Sequence, residues 1–407
     1  MKRKIVGIFV MALLITTVLP ISADLVSRVD NKQIRTNLLN SSWYETFGGA
    51  GNDGFYAVLQ AHDGGYIVAG FTNSYGEGSY DAWLVKTDSE GVKEWEKTFG
   101  GTDDDRFSFI QKIPEGYIIV GRNNDDIWMV KINENGEIVW DYTYGGSKSD
   151  LAWGVWQTQD EGFIISGDTE SFTSLDTSQM WIIKTDENGI EQWNNTYGED
   201  EYFSEGKKVI QTDDRGYILI GSTWLLDEWC DILIIKIDAN GNIEWEKKLE
   251  LELASVSISI ERRSNGNFLI SGSVGELFKG CMALLIEIDV DGNIIMEKQF
   301  GSRFFLDSFW YATPTNDGGY IGTGSRFGIF PFLNINLPWF PFWSKICVMK
   351  FDAEGNLDWG GSPPRNGAGR CIKQTSDGGY IIAGYLGNLP NYGDGVLFKI
   401  DSDGNLP

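Results

Sequence analysis

The chain has 407 residues, 42% of them hydrophobic and 14% aromatic, with 58 acidic and 33 basic side chains. This length and composition support a large buried core and argue against an intrinsically disordered chain. The formal net charge of −25 makes nucleic acid and anionic membrane surfaces unfavourable partners. His62 is the single histidine in the sequence, which excludes a zinc or iron site with several histidine ligands.

The N-terminus has the layout of a secretory signal peptide. Basic residues at 2–4 precede an apolar run over 5–21, and small residues lead up to Ala23. We predict a signal peptide over 1–23 and a lead-in over 24–39, which gives a mature charge of −25 − 3 = −28. An uncleaved membrane anchor is the alternative. No later segment has the run of about 18 apolar residues that a spanning helix needs, so we expect a secreted, extracellular or cell-surface protein without a transmembrane segment in its mature chain.

An internal repeat organises the remainder of the chain. The phrase DGGYIVAG at 63–70 returns in six further copies, and the aromatic residues of the copies lie 46 to 60 positions apart. These aromatic residues are Tyr66, Tyr117, Phe163, Tyr217, Phe268, Tyr320 and Tyr380. A second phrase follows each copy and contains an apolar run, a glycine turn and, in most copies, a tryptophan, as in WLVKTDSEGVKEW at 83–95.

Each repeat unit predicts four short strands. Two of its runs are apolar on nearly every residue, which is typical of strands covered on both faces, and the glycine turns between runs suit hairpins. Such sheets bury both faces only by stacking on one another, and radial stacking forms a ring. The sequence therefore predicts an all-β fold over 40–407, a seven-bladed β-propeller of four-stranded antiparallel blades.

The spacing of the tryptophans predicts how the ring closes. Trp43 lies 23 residues before Tyr66, and the equivalent interval in later units runs from 21 to 24. Trp43 is thus an outer-strand residue without a blade of its own, whereas the seventh unit stops one position before its expected tryptophan. We predict that 40–47 supplies the outer strand of the seventh blade, so that an N-terminal strand closes the ring.

The connection between the second and third strands varies most in length and marks a loop-rich face. Because this connection shares its face with the passages between blades, we expect binding there. The longest connection, at 326–343, has three prolines and no acidic residue. Its aromatic residues are Phe327, Phe330, Phe332, Trp339, Phe340, Phe342 and Trp343. They either pack over the ring and its channel mouth or form a contact surface for a sugar chain, a protein or a lipid interface.

Three carboxylates are predicted on the same face. Asp53, Asp105 and Asp150 each lie ten residues after an outer-strand tryptophan and follow a Gly-Gly pair. Acids at equivalent places in neighbouring blades could coordinate calcium or act as general acid and base. The alternative is structural, because an aspartate that starts an inner strand accepts N–H groups of its own turn. We expect no cofactor, with calcium left open by these residues.

The remaining polar candidates point mostly to architecture. Glutamines recur six residues before the repeat aromatic and predict a polar network between blades. They are Gln60, Gln111, Gln157, Gln211 and Gln374. The four cysteines, Cys230, Cys281, Cys347 and Cys371, allow three disulfide pairings, and the sequence selects none of them. Asn40 and Asn194 begin glycosylation sequons.

The repeat resembles the secreted bacterial and archaeal β-propeller repeats of the delta-sixty kind, over nearly all of 43–407. Those repeats join D-G-x-I-x-x-A-G to an apolar strand and a D-x-x-G-x-x-x-W/F segment. The repeat is more distantly similar to the tryptophan-docked repeats of quinoproteins and of the outer-membrane assembly propeller. Quinone-dependent members are expected to have eight blades and adjacent cysteines, whereas this chain has seven units and no adjacent cysteines. Related proteins labelled endoglucanase-like or lectin-like imply a carbohydrate role without identifying a catalytic residue.

These features favour a non-enzymatic extracellular binding scaffold. The predicted partner is a glycan or an extracellular protein, bound by a monomer through the loop-rich face. The predicted contact residues are Phe330, Phe332, Trp339, Phe340, Phe342, Trp343, Asp53, Asp105 and Asp150. The alternative is a polysaccharide-active, endoglucanase-like hydrolase, which needs two carboxylates about 5–10 Å apart in a cleft. A structural component of the cell envelope is a third class of function.

Overall fold

A computed structural model describes residues 42–405 with the exception of 174, 226–229, 252–253, 277–279, 302–304, 329–343, 364 and 389–390. These residues fall within the compact unit Ser41–Pro407. The predicted signal peptide at 1–23, the lead-in at 24–39 and the Asn40 sequon lie outside the described residues. In the described part of the chain, no helix has the length and apolar character needed to cross a membrane.

Strands of the described residues form seven antiparallel blades of four, as the repeat predicted. Blade one contains β2 (Asp53–Gln60), β3 (Tyr66–Thr72), β4 (Asp81–Thr87) and β5 (Lys93–Phe99). Blade two contains β6 (Asp105–Ile113), β7 (Gly116–Asn123), β8 (Asp126–Ile132) and β9 (Ile138–Tyr144). Blade three contains β10 (Asp150–Gln157), β11 (Phe163–Thr169), β12 (Gln179–Thr185) and β13 (Glu191–Tyr197).

The second half of the ring repeats this order. Blade four contains β14 (Phe203–Gln211), β15 (Tyr217–Trp224), β16 (Asp231–Ile237) and β17 (Ile243–Leu249). Blade five contains β18 (Ala254–Arg262), β19 (Phe268–Glu276), β20 (Gly280–Ile288) and β21 (Ile294–Phe300). Blade six contains β22 (Phe305–Pro314), β23 (Tyr320–Gly328), β24 (Ser344–Phe351) and β25 (Leu357–Gly361). Blade seven contains β26 (Gly367–Gln374), β27 (Tyr380–Asn388), β28 (Asn391–Ile400) and β1 (Trp43–Phe47).

Hydrophobic patterning explains the layers within a blade. In blade one, β3 and β4 are buried at every residue, as predicted for strands covered on both faces. The outer strand β5 alternates between exposed and half-buried residues, because only one of its faces meets protein. Apolar clusters cross from blade to blade, and one of them joins Phe55 of blade one to Ile372 and Phe398 of blade seven. Burial between blades is therefore what holds the sheets together.

The N-terminal strand closes the ring, which confirms the prediction from tryptophan spacing. Strand β1 pairs antiparallel with β28, with Trp43 opposite Lys399 and Phe47 opposite Gly395. Blade seven is thus built from the two ends of the repeat region. Gln60 adds a polar link between the first and last blades, since its side-chain carbonyl accepts the Ser376 N–H at 2.9 Å.

Outer-strand tryptophans connect six blades to the next one, and Met296 takes this position in blade five, where it covers Gly355 of blade six. Trp43 belongs to blade seven by pairing, but its ring centroid lies 5.8 Å from that of Tyr66 in blade one. The same ring covers Gly91, whose φ is +84° and where a Cβ would lie 2.5 Å from the Trp43 ring. Equivalent aromatic contacts join neighbouring blades at Trp140–Phe163, Trp193–Tyr217 and Trp359–Tyr380, with centroids 6.0, 6.3 and 6.2 Å apart. We call this contact the tryptophan dock.

Polar contacts fix the hairpins at the face opposite the loop-rich face. The predicted glutamine network is present between blades: Gln211 accepts the Gln159 N–H at 2.8 Å, and Gln374 accepts the Asn316 N–H at 2.8 Å. Third-strand lysines, buried beneath the first hairpin of their blade, each bind an aspartate of that hairpin at 2.7–3.0 Å. These pairs are Lys86–Asp63, Lys184–Asp160, Lys236–Asp214, Lys350–Asp317 and Lys399–Asp377. The hairpin face is therefore held together by repeated polar contacts.

Replacement of the closing tryptophan tests ring closure. Trp43→Ala removes the dock on blade one while it leaves the β1–β28 backbone ladder possible, so we expect the free energy of unfolding to fall by about 3 kcal/mol. Thermal denaturation followed by circular dichroism measures this loss. Tyr44→Ala on the same strand is the control, because Tyr44 is an exposed side chain. Equal melting temperatures for the two variants would contradict the closure mechanism.

Candidate functional site

The first strand of every blade lines a central channel and carries one β-bulge. In each blade the pairing between first and second strands skips one residue. The skipped residues are Tyr56, Ser108, Trp153, Lys207, Ile258, Trp310 and Arg370. All seven lie on the wall of one cavity. Because a bulge re-aims the side chain at the extra position, these residues form a ring about the channel, here called the bulge ring.

A glycine on the second strand makes room for each bulge. In blade one, Gly70 pairs with Phe55 beside the bulge, and a Cβ on Gly70 would lie 1.9 Å from the Gly54 carbonyl oxygen. The same backbone contact, at 1.7–2.0 Å, occurs at Gly121, Gly167, Gly221, Gly324 and Gly384. Only glycine fits this approach, which explains why the repeat places glycine four residues after its aromatic residue.

The cavity enclosed by the bulge ring has a volume of about 700 Å³. Residues from all seven first strands contribute to its wall. Its aromatic lining residues are Tyr56, Phe109, Trp153, Trp224, Trp310 and Tyr311. Trp224 and Cys230, which flank the connection from β15 to β16, also line it, so the cavity extends toward the loop-rich face. The described wall thus combines aromatic ring faces with serine, lysine, arginine and glutamate side chains.

Arg370 is held between aromatic rings of the two neighbouring blades. Its guanidinium carbon lies 3.7 Å from the ring centroid of Trp310 in blade six and 5.3 Å from that of Tyr56 in blade one. A third ring, Tyr385, has its centroid 5.2 Å away, and its hydroxyl oxygen lies 3.4 Å from an Arg370 amino group. Cation–π contacts of this kind orient a guanidinium without neutralising its charge.

A second charged group surrounds Trp153. Lys207 pairs with Glu205 at 2.5 Å, and its Nζ lies 4.3 Å from the Trp153 ring centroid. The Trp153 indole N–H donates to Asp168 at 2.6 Å. Burial raises the pKa of Asp168 to about 7, Lys207 opposes this rise, and Glu205 adds to it. Asp168 therefore titrates near neutral pH next to the cavity wall.

A third group of contacts draws on the first strands of five blades. Lys208 lines the cavity, and its buried Nζ sits over the Phe109 ring without a hydrogen-bond partner. Burial lowers the pKa of Lys208 well below its ordinary value. Nearby, Lys373 donates to Glu261 at 2.8 Å and to the Tyr311 hydroxyl at 2.6 Å, and Tyr311 is hydrogen-bonded to Glu261.

The three predicted carboxylates are the first residues of the first strands of blades one to three. Each is buried and accepts hydrogen bonds from neighbouring residues of the protein. Asp53 accepts the Gly49 N–H at 2.9 Å and the Ser74 hydroxyl at 2.7 Å. The same pattern holds at Asp150, which accepts from Gly146 and Ser171, and at Asp105, which accepts from Gly101 and Asn124. These contacts are the ones expected for the structural alternative, in which the aspartate accepts N–H groups of its own turn. A role of these carboxylates in ligand binding stays a prediction.

The spacing of ten residues between the outer-strand tryptophan and these carboxylates does not hold in all later blades. By strand register the position of Asp53 falls on Ser204 in blade four, one residue after Phe203. In blade six it falls on Asp307, which lies opposite Arg326 in the strand register. Within the described part of the chain, no three His, Cys, Asp or Glu side chains gather in a group that could hold a metal ion.

The other predicted site residues are distributed as follows. The six aromatic contact residues between Phe330 and Trp343 lie outside the described residues. Cys230 lines the cavity, and burial raises the pKa of its thiol to about 11. Asn194 is exposed on β13, where its amide accepts from the Trp181 indole and donates to Glu191.

The bulge ring was not predicted from the sequence. Its members lie ten residues before the repeat aromatic, or nine in blade two, and they share no residue type. This variation in residue type could have identified the position, because a position that varies inside a regular repeat is not constrained by packing between blades.

Asp168 allows a test of the electrostatics of this wall. Since its folded pKa is raised above the unfolded value, this carboxyl stabilises the fold fully below about pH 4, and that contribution is lost as the pH rises through about 7. Asp168→Asn keeps an acceptor for Trp153 but does not ionise. We expect the variant to melt a few degrees above the parent at pH 8 and at the same temperature at pH 4, as measured by calorimetry. Exposed Asp176→Asn is the control. A variant that melts below the parent at pH 8 would refute the assignment.

No family model and no curated protein matches the chain. Among solved structures, hydrazine synthase of Kuenenia stuttgartiensis is 10% identical, with a TM-score of 0.50 over 88% of this chain and 100% of that chain. Drosophila Plexin A, in complex with Semaphorin 1b, is 9% identical, with a TM-score of 0.47 over 88% of each chain. A Bacteroides caccae protein of unknown function is 11% identical, with a TM-score of 0.43 over 72% of this chain and 93% of that chain. At these identities the likeness shows the fold alone, and membership of a repeat family stays a prediction.

Proposed function

We propose that the protein is an extracellular or cell-surface binding protein that accepts a glycan in the cavity of the bulge ring. The observation that carries this proposal is the cavity of about 700 Å³ whose wall draws residues from all seven blades and aromatic side chains from five of them. That volume is in the range of about 300–1,000 Å³ typical of ligand sites. It suits a short oligosaccharide or the end of a longer chain.

The chemistry of the wall suits a sugar. A pyranose ring has apolar C–H faces and a polar edge, so it packs on aromatic rings and uses a small number of hydrogen-bonding groups. Tyr56, Trp153 and Trp310 supply such rings, and Ser108 and Ser308 add hydroxyl groups to the described wall. All of these lie on first strands of the ring, so the site needs little ordering when a ligand enters.

The cavity favours binding over hydrolysis. Among the described residues that line it, Glu205 is the carboxylate, and it is paired with Lys207. Asp168 lies on the second strand β11 and is engaged by the Trp153 indole. A glycoside hydrolase uses two carboxyl groups on either side of the scissile bond. We therefore place the binding role ahead of the polysaccharide-active alternative.

We propose that residues of the loop-rich face also contact the ligand, outside the cavity. The aromatic residues of 329–343 would add contacts to a longer glycan or to a protein partner, as the sequence predicted. The Trp339→Ala/Trp343→Ala double variant separates two roles for them. Weaker binding at an unchanged melting temperature supports a contact role, whereas a lower melting temperature with unchanged affinity supports packing.

A glycan array followed by titration calorimetry tests the proposal. We expect Tyr56→Ala and Trp310→Ala to weaken binding of the best array ligand about tenfold or more, because each removes a ring from the cavity wall. Tyr142→Ala is the matched control, since Tyr142 is exposed on the outer strand β9. All variants are first compared by thermal melting.

Two outcomes would count against this function. If the protein binds no glycan on the array, the glycan-binding function is wrong. A protein would then be the candidate ligand in place of a glycan. Release of reducing ends from a bound polysaccharide, lost in Glu205→Gln, would favour the hydrolase instead.

A further inference from the structure

We infer that the cavity selects an acidic sugar, one with a carboxylate on its ring, and that Arg370 binds that carboxylate. This inference rests on the proposed glycan-binding function and narrows it to a ligand class. It follows from two basic side chains of the cavity wall, Arg370 and Lys208, that form no ion pair among the described residues, in a chain with 58 acidic and 33 basic residues.

Arg370 has the properties of an anion-binding residue. Its Nε is buried and has no hydrogen-bond partner, and it forms no ion pair with a carboxylate in the described part of the chain. Other arginines do form such pairs: Arg106 with Asp104, Arg262 with Asp213, and Arg263 with Glu287. A buried guanidinium N–H without an acceptor is costly unless a ligand completes its hydrogen bonding.

The aromatic contacts prepare Arg370 for this role. Trp310 and Tyr56, at 3.7 and 5.3 Å from its guanidinium carbon, restrict the side chain before any ligand enters. A guanidinium presents parallel N–H groups that match the two oxygens of a carboxylate. A sugar ring packed on Trp310 or Tyr56 would bring a ring carboxylate to this edge. One residue thus supplies the charge, and its neighbours supply the ring faces.

Lys208 is the second, independent observation. Its Nζ is buried without a hydrogen-bond partner while the side chain lines the same cavity. The groups that face it do not neutralise it: Phe109 is apolar, and Glu261 is hydrogen-bonded to Lys373 and Tyr311. By contrast, the adjacent Lys207 is neutralised by Glu205. Beside Arg370, the wall therefore carries a second basic group without an acidic partner, which favours an anionic ligand and disfavours a cationic one.

Titration calorimetry with a matched pair of sugars tests the inference. The probes are tri-galacturonate and its methyl-esterified form, which has the same rings but no negative charge. The variants are Arg370→Gln and the control Arg365→Gln. Arg365 is also on a tyrosine ring, Tyr44, but lies outside the cavity lining. Arg370→Lys keeps the charge without the parallel N–H groups and replaces Arg370→Gln if that variant does not fold.

We expect the parent and Arg365→Gln to bind the acid form at least about tenfold more tightly than Arg370→Gln does, and all three to bind the ester equally. The preference of the parent for the acid should shrink as salt concentration rises. Arg370→Lys should bind the acid form with intermediate affinity.

The failures are distinguishable. If the parent binds acid and ester equally, and Arg370→Gln matches Arg365→Gln, the acidic-sugar inference is wrong while the glycan function stands. If no sugar on the array binds but citrate binds in an Arg370-dependent manner, the anion site stands and the glycan function is wrong. If a glycan from the array binds the parent but neither tri-galacturonate nor citrate does, the acidic-sugar inference is wrong while the glycan function stands.

Discussion

The structure depends on the tryptophan dock between successive blades. No single four-stranded sheet of this chain can bury both of its apolar faces, so each blade is stable only against its neighbours. The dock fixes how far one blade turns relative to the next, because an outer-strand ring packs on both the aromatic residue and the turn glycine of the following blade, as Trp43 does on Tyr66 and Gly91. Trp43 also closes the circle, since its strand belongs to blade seven by pairing with Lys399. A stable ring in turn gives seven first strands a common axis.

The bulge ring places one side chain from each first strand on the wall of the channel around that axis, where we propose that the ligand binds. Each first strand carries one extra residue, and the glycine opposite, such as Gly70, accommodates it by close backbone contact. Packing between blades constrains the residues on either side of the bulge, whereas the bulge residue itself faces the channel. The scaffold can therefore remain constant while the channel acquires Trp153, Trp310 and Arg370. A rigid wall of this kind reduces the entropy that binding would otherwise cost.

The sequence was sufficient for the fold because the fold is periodic. Tyr66 and its equivalents, the turn glycines and the tryptophan interval specified seven blades and the place of β1 at the end of the ring. The cavity could not be predicted in the same way. Arg370 and Trp310 are distant from each other in sequence, and their contact arises only when blades six and seven pack. Fixed spacing also failed at Ser204, where one additional residue shifts the strand register. Periodicity identifies what the blades share, but function resides in what differs among them.

A crystal structure of the protein with bound tri-galacturonate tests the central claim most directly, because it locates the ligand independently of any substitution. We expect a sugar ring packed on Trp310 or Tyr56 inside the channel, with its carboxylate on the guanidinium of Arg370. A ligand seated only on the outer strands or on the loops, with the channel empty, would contradict the claim that the bulge ring is the binding site.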